Sequence, residues 1–254
     1  MLTLMRELYV IGIGAGDPGQ VTMQAIEAMR RADTFFVIGK GETKRELVEV
    51  RAAILAEHVG PGYRVVEIPD PPRDRAPADY RGVVEDWHAR RAELLADAFA
   101  AEDGVGAILV WGDPALYDST LRMVERVRTR LTFDYQVIPG ITSAQALAAR
   151  HRVVLHGIGE PVHITTGRRL REDGLGPDPT VVMLDGDCSF TEIPADGVRI
   201  WWGAYLGMPD ETLIAGPLGE VAADIRERRA ALRAAKGWIM DIYLLRREGV
   251  GPRG

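Results

Sequence analysis

The sequence predicts an α/β protein, two α/β domains in tandem, and three observations predict it. Strand, helix and strand follow one another between Leu8 and Ile38, the alternation repeats as far as Ile138, and beyond Pro139-Gly140 it continues with a different texture. A βαβ unit implies a parallel sheet, because only a crossover connection returns the chain to the same direction. We place the boundary near Ile138 to Ile141. Residues 1–138 then form an N-terminal domain with a mostly parallel sheet, and 139–254 a C-terminal domain with a mixed sheet.

The elements follow in order. Leu8 to Ile13 is a short apolar run ending in glycines, the mark of a strand buried on both faces. Gly12 to Gly19 form a turn. Gln20 to Ala32 carry apolar residues at Val21, Ala25, Ala28, Met29 and Ala32, a helical spacing. Thr34 to Ile38 read as a strand, Glu42 to His58 as a helix and Arg64 to Ile68 as a strand. Prolines at 69, 71, 72 and 77 make Pro69 to Pro77 a loop. Ala76 to Glu102 read as a long helix, Val105 to Trp111 as a strand, Leu116 to Leu131 as a helix and Tyr135 to Ile138 as a strand. In the second half a small-residue helix starts at Thr142 or Ser143. Strands are expected at Val162 to Thr165, Thr180 to Leu184, Val198 to Trp202 and Trp238 to Arg246, with a charged helix at Leu218 to Lys236.

Composition narrows the function classes. The net charge is -6, which suits a phosphate backbone poorly, so no nucleic-acid partner is expected. Cys188 is the only cysteine, so neither an intrachain disulfide nor a cysteine zinc site is available. No apolar run approaches the roughly 20 residues of a membrane helix, and Met1-Leu-Thr-Leu-Met-Arg-Glu7 is no signal peptide. A cytoplasmic protein without a membrane partner is expected. The five histidines (58, 88, 151, 156, 163) make no metal-binding pair, and the three serines (119, 143, 189) never stand in G-x-S-x-G.

Four stretches are candidate sites. Gly12-Ile-Gly-Ala-Gly-Asp-Pro-Gly19 satisfies G-x-G-x-x-G, yet Pro18 removes a donor where a pyrophosphate needs several. Asp17 reads there as the N-cap of the next helix with Pro18 at its first position, a role compatible with catalysis. Trp111-Gly-Asp-Pro114 follows a buried strand, where open α/β sheets bind ligands, and Asp113 reads equally as a helix cap. Val137-Ile-Pro-Gly-Ile-Thr-Ser-Ala-Gln-Ala146 is either a ligand loop or an interdomain hinge. From Gly140 to Arg171 five arginines (150, 152, 168, 169, 171) face one acid, Glu160, so this stretch is either a solvated face or a seat for a polyanionic small molecule.

Taken in order, Gly12-Ile-Gly-Ala-Gly-Asp-Pro18, Gly112-Asp-Pro114, Pro139-Gly-Ile-Thr-Ser-Ala144, Thr165-Thr-Gly167 and Thr180-Val-Val-Met-Leu-Asp-Gly186 resemble the tetrapyrrole (corrin/porphyrin) methylase family. Gly112 to Thr120 and Trp202 to Pro217 are similar to the branch of it that methylates C-1 of a precorrin ring and releases acetate in cobalamin (vitamin B12) synthesis. The resemblance implies a class III methyltransferase-like fold with S-adenosylmethionine in an interdomain cleft, S-adenosylhomocysteine as product, and a homodimer. Carried over by motif, the cofactor touches Gly112, Asp113, Pro114, Tyr117, Thr142, Ser143, Met183, Gly203 and Ala204. Ala15 departs from the family's G-x-G-P-G-D, which puts contacts at that position in doubt. Acetate release needs a base. Asp17 is the candidate, with Tyr117 and Asp118 as alternatives. Arg150, Arg168 and Arg169 are expected to hold carboxylate arms of the polycarboxylate tetrapyrrole substrate, and no metal is expected. Two other readings stay open: a nicotinamide-dependent oxidoreductase using Gly14 to Gly19 with Glu42 on the ribose, and a binding module without catalysis.

Overall fold

The computed structural model describes residues 5–39, 45–71 and 80–248. The chain divides into two compact units. One gathers the chain up to Gly14 together with Pro18–Thr142, and the other takes Ala15–Asp17 and the chain from Ser143 onward.

The first unit runs β1 (Met5–Gly12), α1 (Met23–Arg31), β2 (Thr34–Ile38), α2 (Arg45–His58), β3 (Arg64–Ile68), α3 (Tyr80–Ala101), β4 (Gly104–Val110), α4 (Thr120–Arg128) and β5 (Asp134–Ile138). Its sheet is wholly parallel in the order β3-β2-β4-β1-β5. Period-two alternation in β1 sends Leu8 and Val10 to one face, against Leu95 and Phe99 of α3 and Met123, Val124 and Val127 of α4. Tyr9 and Ile11 go to the other face, against Ala25, Ala28 and Met29 of α1 and Ile54 and Leu55 of α2. Both faces are covered, so β1 and β4 are apolar almost throughout. In this order the chain moves one way across the sheet after β1 and the other way after β4. These neighbours are therefore the switch point of the sheet, and their carboxyl ends open the crevice where such sheets take ligands.

Two expected helix starts are corrected. Pro18–Gln20 form a single 3-10 turn, and α1 begins at Met23, capped by Thr22, whose Oγ1 accepts from Ala25 N–H at 3.1 Å. Asp17 is not the cap, because a threonine one residue before Met23 fits the capping geometry and a Pro-Gly pair does not continue a helix. Likewise α4 begins at Thr120 rather than Leu116, since Tyr117 takes a left-handed backbone (φ 51°) that no helix continues through. Asp113 therefore caps nothing; Asp118 Oδ1 instead accepts from Thr120 N–H at 2.6 Å. The expected helices from Glu42 and Ala76 are seen from Arg45 and Tyr80, and Glu42, with most of the proline loop, lies outside the described residues.

The second unit holds α5 (Ser143–His151), β6 (His163–Thr166), α6 (Gly167–Asp173), β7 (Thr180–Met183), β8 (Val198–Ala204), β9 (Thr212–Pro217), α7 (Leu218–Lys236) and β10 (Asp241–Arg247). The sheet order is β6-β7-β10-β8-β9, with β6 and β7 parallel and the other pairs antiparallel, a mixed sheet. The elements α6 and β9 were not expected. The first is only seven residues long, started by the Thr166 cap; the second is an edge strand closing on Gly-Pro.

A buried polar knot ties this unit together. Arg229, 6% exposed, donates Nε to Asp241 Oδ2 at 2.8 Å and Nη2 to the Asp185 carbonyl at 2.7 Å. Trp202 Nε1 donates to the same Asp241 oxygen at 3.0 Å. The Asp185 carboxylate accepts from Ser189 N–H at 2.7 Å, Ser189 Oγ at 3.0 Å and Tyr243 OH at 2.6 Å. Burial and the Asp185 charge push the Tyr243 hydroxyl far up, so it stays a donor. Every polar atom named finds a partner, as a buried network requires.

Candidate functional site

In the first unit the carboxyl ends of β1, β4 and β5 converge on three glycines. A Cβ at Gly12 would stand 2.6 Å from Gly140 N and 2.7 Å from Gly112 O, so these backbones meet with no room for a side chain. Gly14 and Gly112 exchange backbone bonds, Gly112 N–H to Gly14 O at 2.8 Å and Gly14 N–H to Gly112 O at 3.3 Å. Asp113 closes the group: Oδ1 accepts from Ala115 N–H at 2.8 Å and Oδ2 from Gly140 N–H at 2.9 Å. Its carboxylate is thus a staple between the loops after β4 and β5. Gly112 lies beside Thr142, with 3.8 Å from its Cβ position to Thr142 Cα, so the second and third motifs share one place. Pro114 is buried, and Tyr117 stands 44% exposed on its left-handed backbone.

Two buried polar atoms near these strand ends have no hydrogen-bond partner among the described residues: the indole Nε1 of Trp111, a donor, and Oε1 of Gln20, an acceptor beside Gly14. Arg51 lies over the Trp111 ring at 5.6 Å and donates Nε to Leu109 O at 3.3 Å. Its pKa is lowered to about 10 by burial, with the Asp118 charge opposing.

In the second unit one row of the sheet carries the remaining motifs. Thr166 pairs with Met183, Met183 with Ile242, Ile242 with Gly203 and Gly203 with Leu213. Residues separated by long stretches of chain thus stand side by side at the carboxyl ends of β6, β7 and β8. Gly203 and Ala204 are fully inside: the space for a Gly203 Cβ is taken by Leu206, Leu147 and Leu213, and Ala204 has no exposed surface. Gly16 and Asp17 lie against the turn after β8, where a Cβ at Gly16 would meet Met208 Cγ at 2.7 Å.

Among the catalytic candidates, Tyr117 is pushed up by burial, so it stays a protonated hydroxyl and donates rather than accepts a proton. Asp118 is spent on Thr120 N–H. Asp17 is the carboxylate seated against the turn after β8. The arginines are not an open patch. Arg150 Nε meets Glu211 at 2.7 and 2.8 Å, Arg169 meets Glu172 at 2.9 Å and Asp173 at 3.4 Å, and Arg168 lies 3.9 Å from Glu172. Arg171 is held by Asp187 and Glu192. Arg152, exposed and left-handed (φ 56°), is the member of this group with no acid against its guanidinium among the described residues.

Glu211 is the residue sequence reasoning missed. Burial would raise its carboxyl, but the Arg150 side chain and the Gly207 N–H at 2.8 Å outweigh that and hold it below the ordinary range. His151, one residue on from Arg150, bonds Trp202 O at 3.0 Å and is pushed down by burial.

A dinucleotide reading of the first turn fails on geometry. The Gly14 N–H is committed to Gly112 O, and α1 starts only at Met23, so no helix N-terminus follows the glycines to receive a pyrophosphate. Among the described residues no cluster of three or more histidine, cysteine or acidic side chains could hold a metal, and no helix is long and apolar enough to cross a membrane.

Comparison with known proteins gives a consistent set. The family model of tetrapyrrole (corrin/porphyrin) methylases matches residues 7–222. A precorrin-6A synthase [deacetylating] of a Sinorhizobium species is 51% identical over 250 residues, 96% of each chain. The solved structure of a cobalamin-synthesis-related protein (CobF) from Corynebacterium diphtheriae superposes with TM-score 0.82 at 40% identity, over 96% of this chain and 99% of that one. The uroporphyrin-III C-methyltransferase of Thermus thermophilus, solved with S-adenosylhomocysteine, shares the fold at TM-score 0.60 and 18% identity, over 94% and 92%.

Proposed function

Since the chain belongs to the tetrapyrrole (corrin/porphyrin) methylase family, we propose that it is an S-adenosylmethionine-dependent C-methyltransferase of cobalamin biosynthesis, which methylates C-1 of precorrin-5 and releases acetate to give precorrin-6A. The observation that carries the specific reading is identity of 51% across 96% of both chains with a precorrin-6A synthase. We read it as a homodimer, as the family resemblance implies, working in the cytoplasm.

The residues fit an adenosyl ligand. Such a ligand is rich in both donors and acceptors, and Trp111 Nε1 and Gln20 Oε1 are one unpartnered donor and one unpartnered acceptor beside the glycine loops. We assign cofactor contact to Gly112, Pro114, Tyr117, Thr142, Ser143 and Met183. Asp113, Gly203 and Ala204 act by shaping the loops they stand in, since both Asp113 oxygens are engaged, by Ala115 and Gly140, and the space around Gly203 is filled by Leu206, Leu147 and Leu213. When bound, S-adenosylmethionine supplies an electrophilic methyl group on a neutral leaving group. The protein's task is then alignment and exclusion of water.

The second half of the reaction gives Asp17 its role. Forming the C-1 to methyl bond draws an electron pair from the conjugated ring and leaves it cationic. Asp17 takes a proton from water as the oxygen adds to the acetyl carbonyl. The bond from ring to acetyl carbon then breaks, its pair returns to the ring, and acetate leaves. Arg152 is assigned to a carboxylate arm of the substrate, in place of the acid-bound Arg150, Arg168 and Arg169.

Incubation with precorrin-5 and methyl-labelled S-adenosylmethionine tests the reading. One methyl gained with one acetate released is the expected result. A methyl gained without acetate would make it a methylase of another ring carbon, and no methyl gained would overturn the proposal.

A further inference from the structure

We infer that Glu211 is a positioning residue that holds Asp17 for acetate release, an inference resting on the reading of Asp17 as the base. Glu211 ties one turn from several sides. Oε1 receives Arg150 Nε at 2.7 Å and Nη2 at 2.6 Å; Oε2 receives Arg150 Nε at 2.8 Å and Gly207 N–H at 2.8 Å. The Glu211 N–H donates in turn to Met208 O at 3.0 Å. Side chain and backbone together fix the stretch from Tyr205 to Glu211.

Asp17 is seated on that stretch. A Cβ at Gly207 would stand 2.6 Å from Asp17 N and 2.7 Å from Asp17 Cβ, and one at Gly16 would stand 2.9 Å from Leu206 O. Gly207 also needs its left-handed backbone, φ 76°, which a glycine takes at no steric cost. With no side chain between them, displacement of the Gly207 peptide displaces Asp17. Glu211 holds that peptide by its N–H.

Charge adds a second link. The Glu211 carboxylate foremost, and the Asp17 charge to a smaller extent, favour the charged form of Arg150, so the guanidinium is attracted to both. Glu211, its side chain 13% exposed, engages the guanidinium at close range and keeps it from turning to Asp17. Glu211 thus sets where Asp17 sits and keeps the Arg150 guanidinium on itself.

The experiment measures acetate released per methyl transferred, with precorrin-5 and labelled S-adenosylmethionine, for wild type, D17N, E211Q and the double variant E211Q/R150Q. D17N is expected to transfer methyl while acetate falls by about a hundredfold, the lower end for loss of a general base. E211Q is expected to lower the ratio roughly tenfold, within what misplacement of a catalytic group costs. The double variant should recover part of the loss, because the guanidinium freed toward Asp17 is gone. A merely structural role would lower methyl and acetate together and make the double variant worse. If E211Q does not fold, E211D keeps the charge on a shorter arm and should give an intermediate ratio. Normal acetate release by D17N would overturn the base reading. An unchanged ratio in E211Q or E211D, beside a defective D17N, would overturn the role of Glu211 alone.

Discussion

The two units hold their functional loops by different means. In the first, the loops after β1, β4 and β5 are locked by backbone meeting backbone at Gly12, Gly112 and Gly140, with one carboxylate, Asp113, as fastener. In the second, the loops after β7 and β8 are held by charged side chains reaching from elsewhere, Arg229 to Asp241 and Asp185, and Arg150 to Glu211. Parallel strands end side by side and bring their loops together by topology, so the remaining requirement is absence of bulk. A mixed sheet has fewer such ends, and ion pairs do that work.

Four measurements break or sharpen this contrast. Arg229→Ala leaves Asp241 buried without its cation and is expected to cost about 3–5 kcal/mol, read by urea denaturation. Gly140→Ala, in the first unit, forces a methyl into Gly112 O and Gly12 and should cost about 1–3 kcal/mol, with no dependence on salt. Arg152→Ala should raise the KM for precorrin roughly tenfold, as loss of a charged hydrogen bond would, with kcat nearly kept. Arg168→Ala should leave KM unchanged. Equal effects at both would remove the distinction between arginines that hold the fold and one that holds a ligand. Thr22→Ala should cost about 1 kcal/mol, while Asp17→Ala leaves α1 untouched.

The smallest effect is a pH dependence. His151 and Glu211 are both held below their ordinary values, so each contributes stability fully present above its unfolded value and lost as pH falls through its folded one. Acidification below the ordinary histidine range should therefore loosen the second unit through His151 first and through Glu211 at lower pH. Hydrogen exchange in β8 and α5 against β1 and β4 checks it. Equal loosening in the two units would count against it.

What the sequence made legible follows the same division. Strand edges in the first unit came out within a few residues because β1 and β4 are continuously apolar, and the Gly112-Asp-Pro114 turn was visible because its glycine is local. The cap reading of Asp17 and the cap alternative for Asp113 fail, since residues that cap a helix also fasten loops, as Asp113 does, and only the partner differs. Glu211 gave no signal: its partner lies 61 residues away, and nothing nearby in sequence marks it. The arginine cluster was visible as charge, but which members already held acids depends on α6 folding Glu172 and Asp173 beneath Arg168 and Arg169.

Ala15–Asp17 belong to the second unit although the chain on either side belongs to the first. On the ribosome, at about 5–20 residues per second, this tripeptide emerges many seconds before Leu206–Met208, the residues that receive it. The neighbours of Ala15–Asp17 in the second unit are thus made only after the strands of the first unit have left the ribosome.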